Sequence, residues 1–153
     1  MPLIVPVDEL PQMVGRQMEP SDWLKITQER VNQFADATND HQFIHVNRLK
    51  AKFTPFGGTI AHGFLSLSLL SYLNEQQTVV PEGTKMAVNY GSNKMRFLKP
   101  VRVGKRIRSH QKIIDVTEKK PNQWLITTDV SVEIEKEDTP ALITEMLALF
   151  IVK

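Results

Sequence analysis

Residues 60–73 read Ile60-Ala61-His62-Gly63-Phe64-Leu65-Ser66-Leu67-Ser68-Leu69-Leu70-Ser71-Tyr72-Leu73. Helical spacing spreads Leu65, Leu67, Leu69, Leu70 and Leu73 over more than one side. A helix that is apolar most of the way round belongs inside a protein. The stretch is too short to cross a bilayer and is interrupted by Ser66, Ser68 and Ser71. It reads as a buried helix that the rest of the chain must cover. Its first turn carries His62 and Gly63, where backbone N–H groups lack partners within the helix.

What covers that helix follows it. Residues 85–97, 102–117, 123–135 and 141–152 are rich in Val, Ile, Thr and aromatics, and residues 128–134 alternate strictly. Lys99-Pro100, residues 118–122 and residues 136–140 divide these runs. Long strands joined by short turns predict a mostly antiparallel sheet. A sheet curved round one helix buries it but leaves open edges, which a second subunit can cover. A homodimer is therefore expected. Before the helix, residues 7–14 predict a short helix ended by Gly15, and Thr27 caps a helix over 28–38. Residues 39–45 read as irregular, Asn47 as the cap of a helix over 48–53, and residues 54–58 as a loop.

The chain of 153 residues fits one domain, 1–153, with room for a sizeable core. A net charge of +2 argues against a nucleic-acid partner. There is no cysteine, which removes disulfides, thiolate metal sites and cysteine nucleophiles. The first residues lack a basic leader, so a cytoplasmic location is expected, with no membrane partner.

Misplaced polar residues cluster between Asp40 and His62. Asp40 and His45 are five apart, about 140° round a helix, so they converge only if a loop joins them. A carboxylate and an imidazole brought together can hold a water, take its proton and return one to an activated double bond. The alternative is that Asp40 caps the next turn and His45 is a satisfied polar residue. His41 and His45 have the helical spacing of metal ligands, but no third ligand follows at a familiar distance, so no metal is expected. Gly63 leaves room for a ligand carbonyl beside the helix N-terminus, or for tight packing of another element. Ser71 reads as a buried hydroxyl on the same helix.

Taken together, residues 34–46 (FADATNDHQFIHV) and 56–63 (FGGTIAHG) resemble the MaoC-like, (R)-specific enoyl-CoA hydratase family. The likeness is nearest to its NodN-like, single-hotdog bacterial branch. Asp22-Trp23, Ile26-Thr27, Asn89-Tyr90-Gly91 and Arg96-Phe97 also fit that branch. The resemblance implies an α+β hotdog fold, an antiparallel sheet wrapped around a long central helix, working as a homodimer. It implies reversible hydration of a trans-2-enoyl-CoA to an (R)-3-hydroxyacyl-CoA, with no cofactor beyond the coenzyme A of the substrate. Asp40 and His45 occupy the family's catalytic positions and would share one water. Gly63 matches the glycine whose N–H polarises the thioester oxygen. His62 lies beside it, and Ser71 falls where some members carry a serine. The family often has Gly-Asp-x-Asn-Pro where this chain has Asn39-Asp40-His41-Gln42-Phe43. Gln42 would brace the pair in place of asparagine, and Phe43 would alter the pocket wall. Met86, Phe56 and Phe64 join Phe43 as candidate acyl-channel residues.

Lys94 with Arg96, and Arg106 with Arg108, each share a strand face and are candidates for the coenzyme A phosphates. Two other readings stay open: a hotdog acyl-CoA thioesterase, and a noncatalytic acyl-CoA-binding subunit.

Overall fold

The computed structural model describes residues 1–153. The chain opens with β1 (Leu3–Val5), a 3-10 stretch (Val7–Met13) and β2 (Leu24–Lys25). Thr27 caps α1 (Gln28–Thr38), its hydroxyl accepting from the Arg30 N–H at 3.1 Å. Asn39 closes α1 in the left-handed region, φ 57°, and its N–H returns to the Ala35 carbonyl.

Residues 39–42 are irregular as expected, but the expectation fails from Phe43 onward, because α2 (Phe43–Val46) is a full helical turn. The Asp40 carboxylate prepares it by accepting from the Gln42 N–H at 3.3 Å. Next comes α3 (Arg48–Ala51), where the Asn47 side chain accepts from the Lys50 N–H at 3.0 Å.

The central helix is two segments, α4 (Gly63–Ser68) and α5 (Leu70–Glu75), meeting at Leu69. It is not buried all round. Leu65, Leu69, Leu70 and Leu73 face the core, whereas Phe64 and Tyr72 are 63% and 55% exposed. The spacing 65, 69, 73 is a single stripe, and the sheet lies along that stripe.

After β3 (Val79–Pro81), which pairs in parallel with β1, come β4 (Thr84–Phe97), β5 (Arg106–Lys120), β6 (Gln123–Ile134) and β7 (Leu142–Val152). The main sheet runs β2-β5-β6-β7-β4, antiparallel throughout. Strand β5 starts later than the expected residue 102. Gly104, at φ 98°, turns the chain, and its N–H bonds the Ile26 carbonyl at 2.7 Å. Residues 101–103 instead clip the entry to α4: Val103 N–H reaches Thr59 O at 2.9 Å, and Ala61 N–H reaches Val101 O at 2.8 Å.

The larger core cluster sets Val31 of α1 and the α4–α5 leucines against Ile107, Val130, Val132, Ile134 and Leu142 of β5–β7. A smaller one joins Leu10, Val79, Ile113, Ile126 and Phe150. Fully burying a side chain such as Leu73 stabilises the fold by about 1.5–3 kcal/mol. Strand β4 stands apart as a sheet edge, with Met86, Val88 and Tyr90 outward. No helix is long and apolar enough to cross a membrane. An antiparallel sheet curled about one helix is the hotdog arrangement.

Candidate active site

Three segments converge where α1 ends, α2 turns and α4 begins. His45, on α2, is 7% exposed, and its Nδ1 lies 2.7 Å from the Ile60 carbonyl. A carbonyl can only accept, so Nδ1 carries the hydrogen and Nε2 is left with a lone pair. Gln28 Nε2 donates to the His45 carbonyl at 2.7 Å, while Gln28 Oε1 accepts from the Thr59 hydroxyl at 2.6 Å. The imidazole is therefore held on both its ring and its backbone. Burial pushes its pKa below 6.5; the Ile60 bond opposes that, nearby His62 adds to it, and Asp40 opposes it.

Asp40 is brought to the same place by different means. Its N–H bonds Ala35 O at 3.1 Å, continuing the turn begun at Asn39. Its carbonyl accepts from His62 Nε2 at 3.0 Å, and Oδ2 lies 4.0 Å from that nitrogen. One side-chain atom from each of Asp40, His45 and His62 falls within 4.8 Å of the others. That separation suits one bridging water. The Asp40 side chain remains half exposed, whereas His62 is buried and stacks on His45 with ring centroids 3.8 Å apart at 23°. Stacked rings aim their lone pairs along nearly parallel planes, a poor geometry for one ion at about 2.0–2.1 Å from both nitrogens. His62 Nδ1 has no hydrogen-bond partner.

Gly63 opens α4 and lines a cavity of about 400 Å³ together with His45, Phe56, Phe64, Ser66 and Phe97. A Cβ on Gly63 would stand 2.9 Å from the Phe97 ring, so any larger residue there would have to displace that ring.

The other expected residues fall elsewhere. Ser71 is exposed on α5 and borders a separate groove with Asn74 and Gln111, so the expectation of a buried hydroxyl near the site is corrected. Its place is taken by Ser66, which is 3% exposed and three residues after Gly63 on the same face, a spacing visible in the sequence. Gln42 contributes its backbone N–H to Asp40, and its exposed side-chain amide makes no hydrogen bond. Phe56 and Phe64 line the cavity, whereas Phe43 and Met86 do not.

The four basic candidates do not gather. Lys94 and Arg96 sit on β4, Arg106 and Arg108 on β5, with β6 and β7 between them, and none borders the cavity. Lys94 meets Glu145 at 3.4 Å, Arg106 meets Glu135 at 2.5 Å and Arg108 meets Glu133 at 2.6 Å. Arg96 donates to the Met95 carbonyl. Gln28, which orients His45, was not visible as a site residue because its partners lie 17 and 31 residues away.

Comparison with known proteins bears on this geometry. A family model described as the MaoC like domain matches residues 9–136. The 3-hydroxyacyl-thioester dehydratase Z of Mycobacterium tuberculosis (strain ATCC 25618 / H37Rv) is 43% identical, over 95% of this chain and 95% of that protein. Nodulation protein N of Rhizobium leguminosarum bv. viciae is 39% identical, over 92% of this chain and 88% of that one. Among solved structures, an (R)-hydratase from A. caviae involved in PHA biosynthesis superposes with a TM-score of 0.71 at 24% identity, covering 88% and 94% of the two chains. The monoamine oxidase regulatory protein from Archaeoglobus fulgius gives 0.77 at 23% identity, covering 92% and 91%. The structural likenesses show the fold, and the family match with relatives near 40% identity over nearly the whole chain shows the lineage. This chain belongs to the MaoC-like family.

Proposed function

We propose that this hydratase–dehydratase adds water reversibly to a trans-2-enoyl thioester, giving the (R)-3-hydroxyacyl thioester, with coenzyme A as the carrier. The observation that carries the reading is a buried His45, held through Nδ1 by the Ile60 carbonyl, with a ring nitrogen within 4.8 Å of a carboxylate oxygen of Asp40, and lining the same cavity as Gly63. In this mechanism Asp40 and His45 hold one water between them. As its oxygen bonds to C3, the pair takes up the released proton, and the proton returned to C2 completes the addition. His45 Nε2 suits the acceptor's part, since its lowered pKa keeps it neutral. The Gly63 N–H, in the first turn of α4, has no partner within the helix and supports the enolate oxygen that forms on the thioester.

The dimer belongs to this proposal too. Strand β4 is an edge with an outward apolar set, Met86, Val88 and Tyr90, that a second copy would cover. Sedimentation would show two chains per particle. A cytoplasmic setting belongs to the same proposal.

The test is incubation with crotonyl-CoA, following loss of the conjugated thioester absorbance. Hydration by the parent protein, reduced by orders of magnitude in Asp40→Asn with the fold retained, supports the reading. Release of free thiol without hydration selects a thioesterase instead.

A further inference from the structure

Positive charge on this molecule is of two kinds. Lys94, Lys99, Lys105, Arg106 and Arg108 each sit at ion-pairing distance from a glutamate. Arg48, Lys52 and Arg102 do not; no carboxylate pairs with any of them. These three line one depression of about 260 Å³, floored by Gly57, Gly58 and Thr59.

Arg102 is also anchored there. Its Nη2 donates to the Gly57 carbonyl at 3.0 Å, and its guanidinium lies so close over Gly58 that a Cβ there would stand 2.7 Å from Nη2. A planar guanidinium fixed through one N–H keeps its remaining donors for two oxygens of a charged acceptor such as a phosphate. The depression is continuous with the chemistry. Arg102 also borders a hollow of about 190 Å³ shared with Phe56, Lys99 and Pro100. Those same three residues line the cavity that holds His45 and Gly63.

We propose that Arg102, with Arg48 and Lys52, forms a phosphate subsite that holds the carrier arm of the thioester, and that the arm reaches the cavity past Phe56 and Lys99. This rests on the hydratase reading above. The shared chemistry is the phosphate of a phosphopantetheine arm or of the nucleotide beyond it. Arg106 and Arg108, already neutralised by glutamates, do not serve it.

The experiment compares crotonyl-CoA with S-crotonyl-N-acetylcysteamine, which has the same reacting group and no phosphate. The readout is the ratio of kcat/KM for the two. Arg102→Gln is expected to lower that ratio tenfold or more, through KM for the coenzyme A thioester. The double variant Arg48→Gln/Lys52→Gln, whose side chains anchor no loop, is expected to lower it as well. Lys120→Gln, the same charge loss at the distant β5–β6 turn, leaves it unchanged. An Arg102 that merely supports the Gly57 loop would slow both thioesters equally; an unchanged ratio in both variants overturns the subsite while hydration itself survives. If the parent protein hydrates neither thioester, the hydratase reading fails and takes the subsite with it. Crotonyl-dephospho-CoA separates the sources. Equal sensitivity to Arg102→Gln places the arm's own phosphates in the subsite, a group shared with a carrier protein; loss of sensitivity places the 3′-phosphate there and makes coenzyme A the carrier.

Discussion

Two regions of this molecule hold polar side chains in opposite ways. Across β5 and β6, Arg106 pairs with Glu135, Arg108 with Glu133, and His110 shares Glu133, all with a quarter to half of each side chain in water. Around His45 the supporting bonds are uncharged: the Ile60 carbonyl on Nδ1, the Gln28 amide on the backbone and the Thr59 hydroxyl behind it, at 2.6–2.7 Å. Exposed pairs gain little, because water already solvated both partners. A buried bond left unmade strands a polar group away from water. The sparse, neutral set should therefore govern activity, and the dense, charged set should only trim stability.

The largest effect falls on His45 itself. His45→Gln should lower kcat by about 10²–10⁴-fold, with circular dichroism unchanged; a loss under tenfold would take the imidazole out of the reaction. The same residue sets a pH limit. Burial lowers its folded-state pKa, so below 6.5 the unfolded chain binds the proton first. Stability tied to His45 is thus intact above 6.5 and declines as pH falls through the folded value. The acid limb of kcat/KM should accordingly lie under pH 6.5, and a limb above it would contradict a buried neutral base.

Gly63→Ala comes next. The new methyl would press on the Phe97 ring at 2.9 Å, so either the ring or the α4 entry must move. Overpacking of this kind costs about 1–3 kcal/mol, and a displaced N–H costs activity as well. Hydration should fall by about tenfold to a hundredfold, with partial recovery in the Gly63→Ala/Phe97→Leu double variant. No recovery would mean the damage does not run through Phe97.

Much of this was legible in the sequence, for reasons that can be named. Thr27 and Asn39 bracket α1 because cap chemistry is local. The strands follow from alternation, whereas Asp40, His45 and Gly63 are picked out by the family resemblance of residues 34–46 and 56–63 and not by spacing alone. What was illegible depended on partners far along the chain. The leucines of residues 65–73 spread over more than one side of a helix, yet only tertiary contact decides that Leu65 and Leu73 are buried and Tyr72 is not. The resemblance points to Ser71, whereas the serine that lines the cavity is Ser66, three residues after Gly63. Arg106 and Arg108 looked free because Glu135 and Glu133 lie 29 and 25 residues away.

Gln28→Ala probes the cradle without touching the ring. It removes the donor to the His45 carbonyl and leaves the Thr59 hydroxyl without its acceptor, inside a partly buried network. A drop of about tenfold in kcat is expected, corresponding to about 1.4 kcal/mol of lost positioning. Gln28→Glu keeps the acceptor for Thr59 and loses the donor, so it should recover less than half of the deficit if the His45 bond dominates. Full recovery would assign the effect to Thr59.

The smallest effect is expected in the charged ladder. The Glu133 carboxyl lies below its ordinary value, first because Arg108 donates to it, with burial opposing and His110 adding to the lowering. A depressed folded pKa means that the unfolded chain takes up the proton first as pH falls through 4.5. The stabilisation is whole above that point and disappears as pH drops through the folded value. Glu133→Gln should therefore cost under about 1 kcal/mol at neutral pH, since the pair is a third exposed and screened. The gap between variant and parent urea midpoints should close in acid, and hydration should stay at the parent rate. A tenfold loss of turnover in Glu133→Gln would couple the ladder to the cradle, and the two regions would no longer be separable by burial.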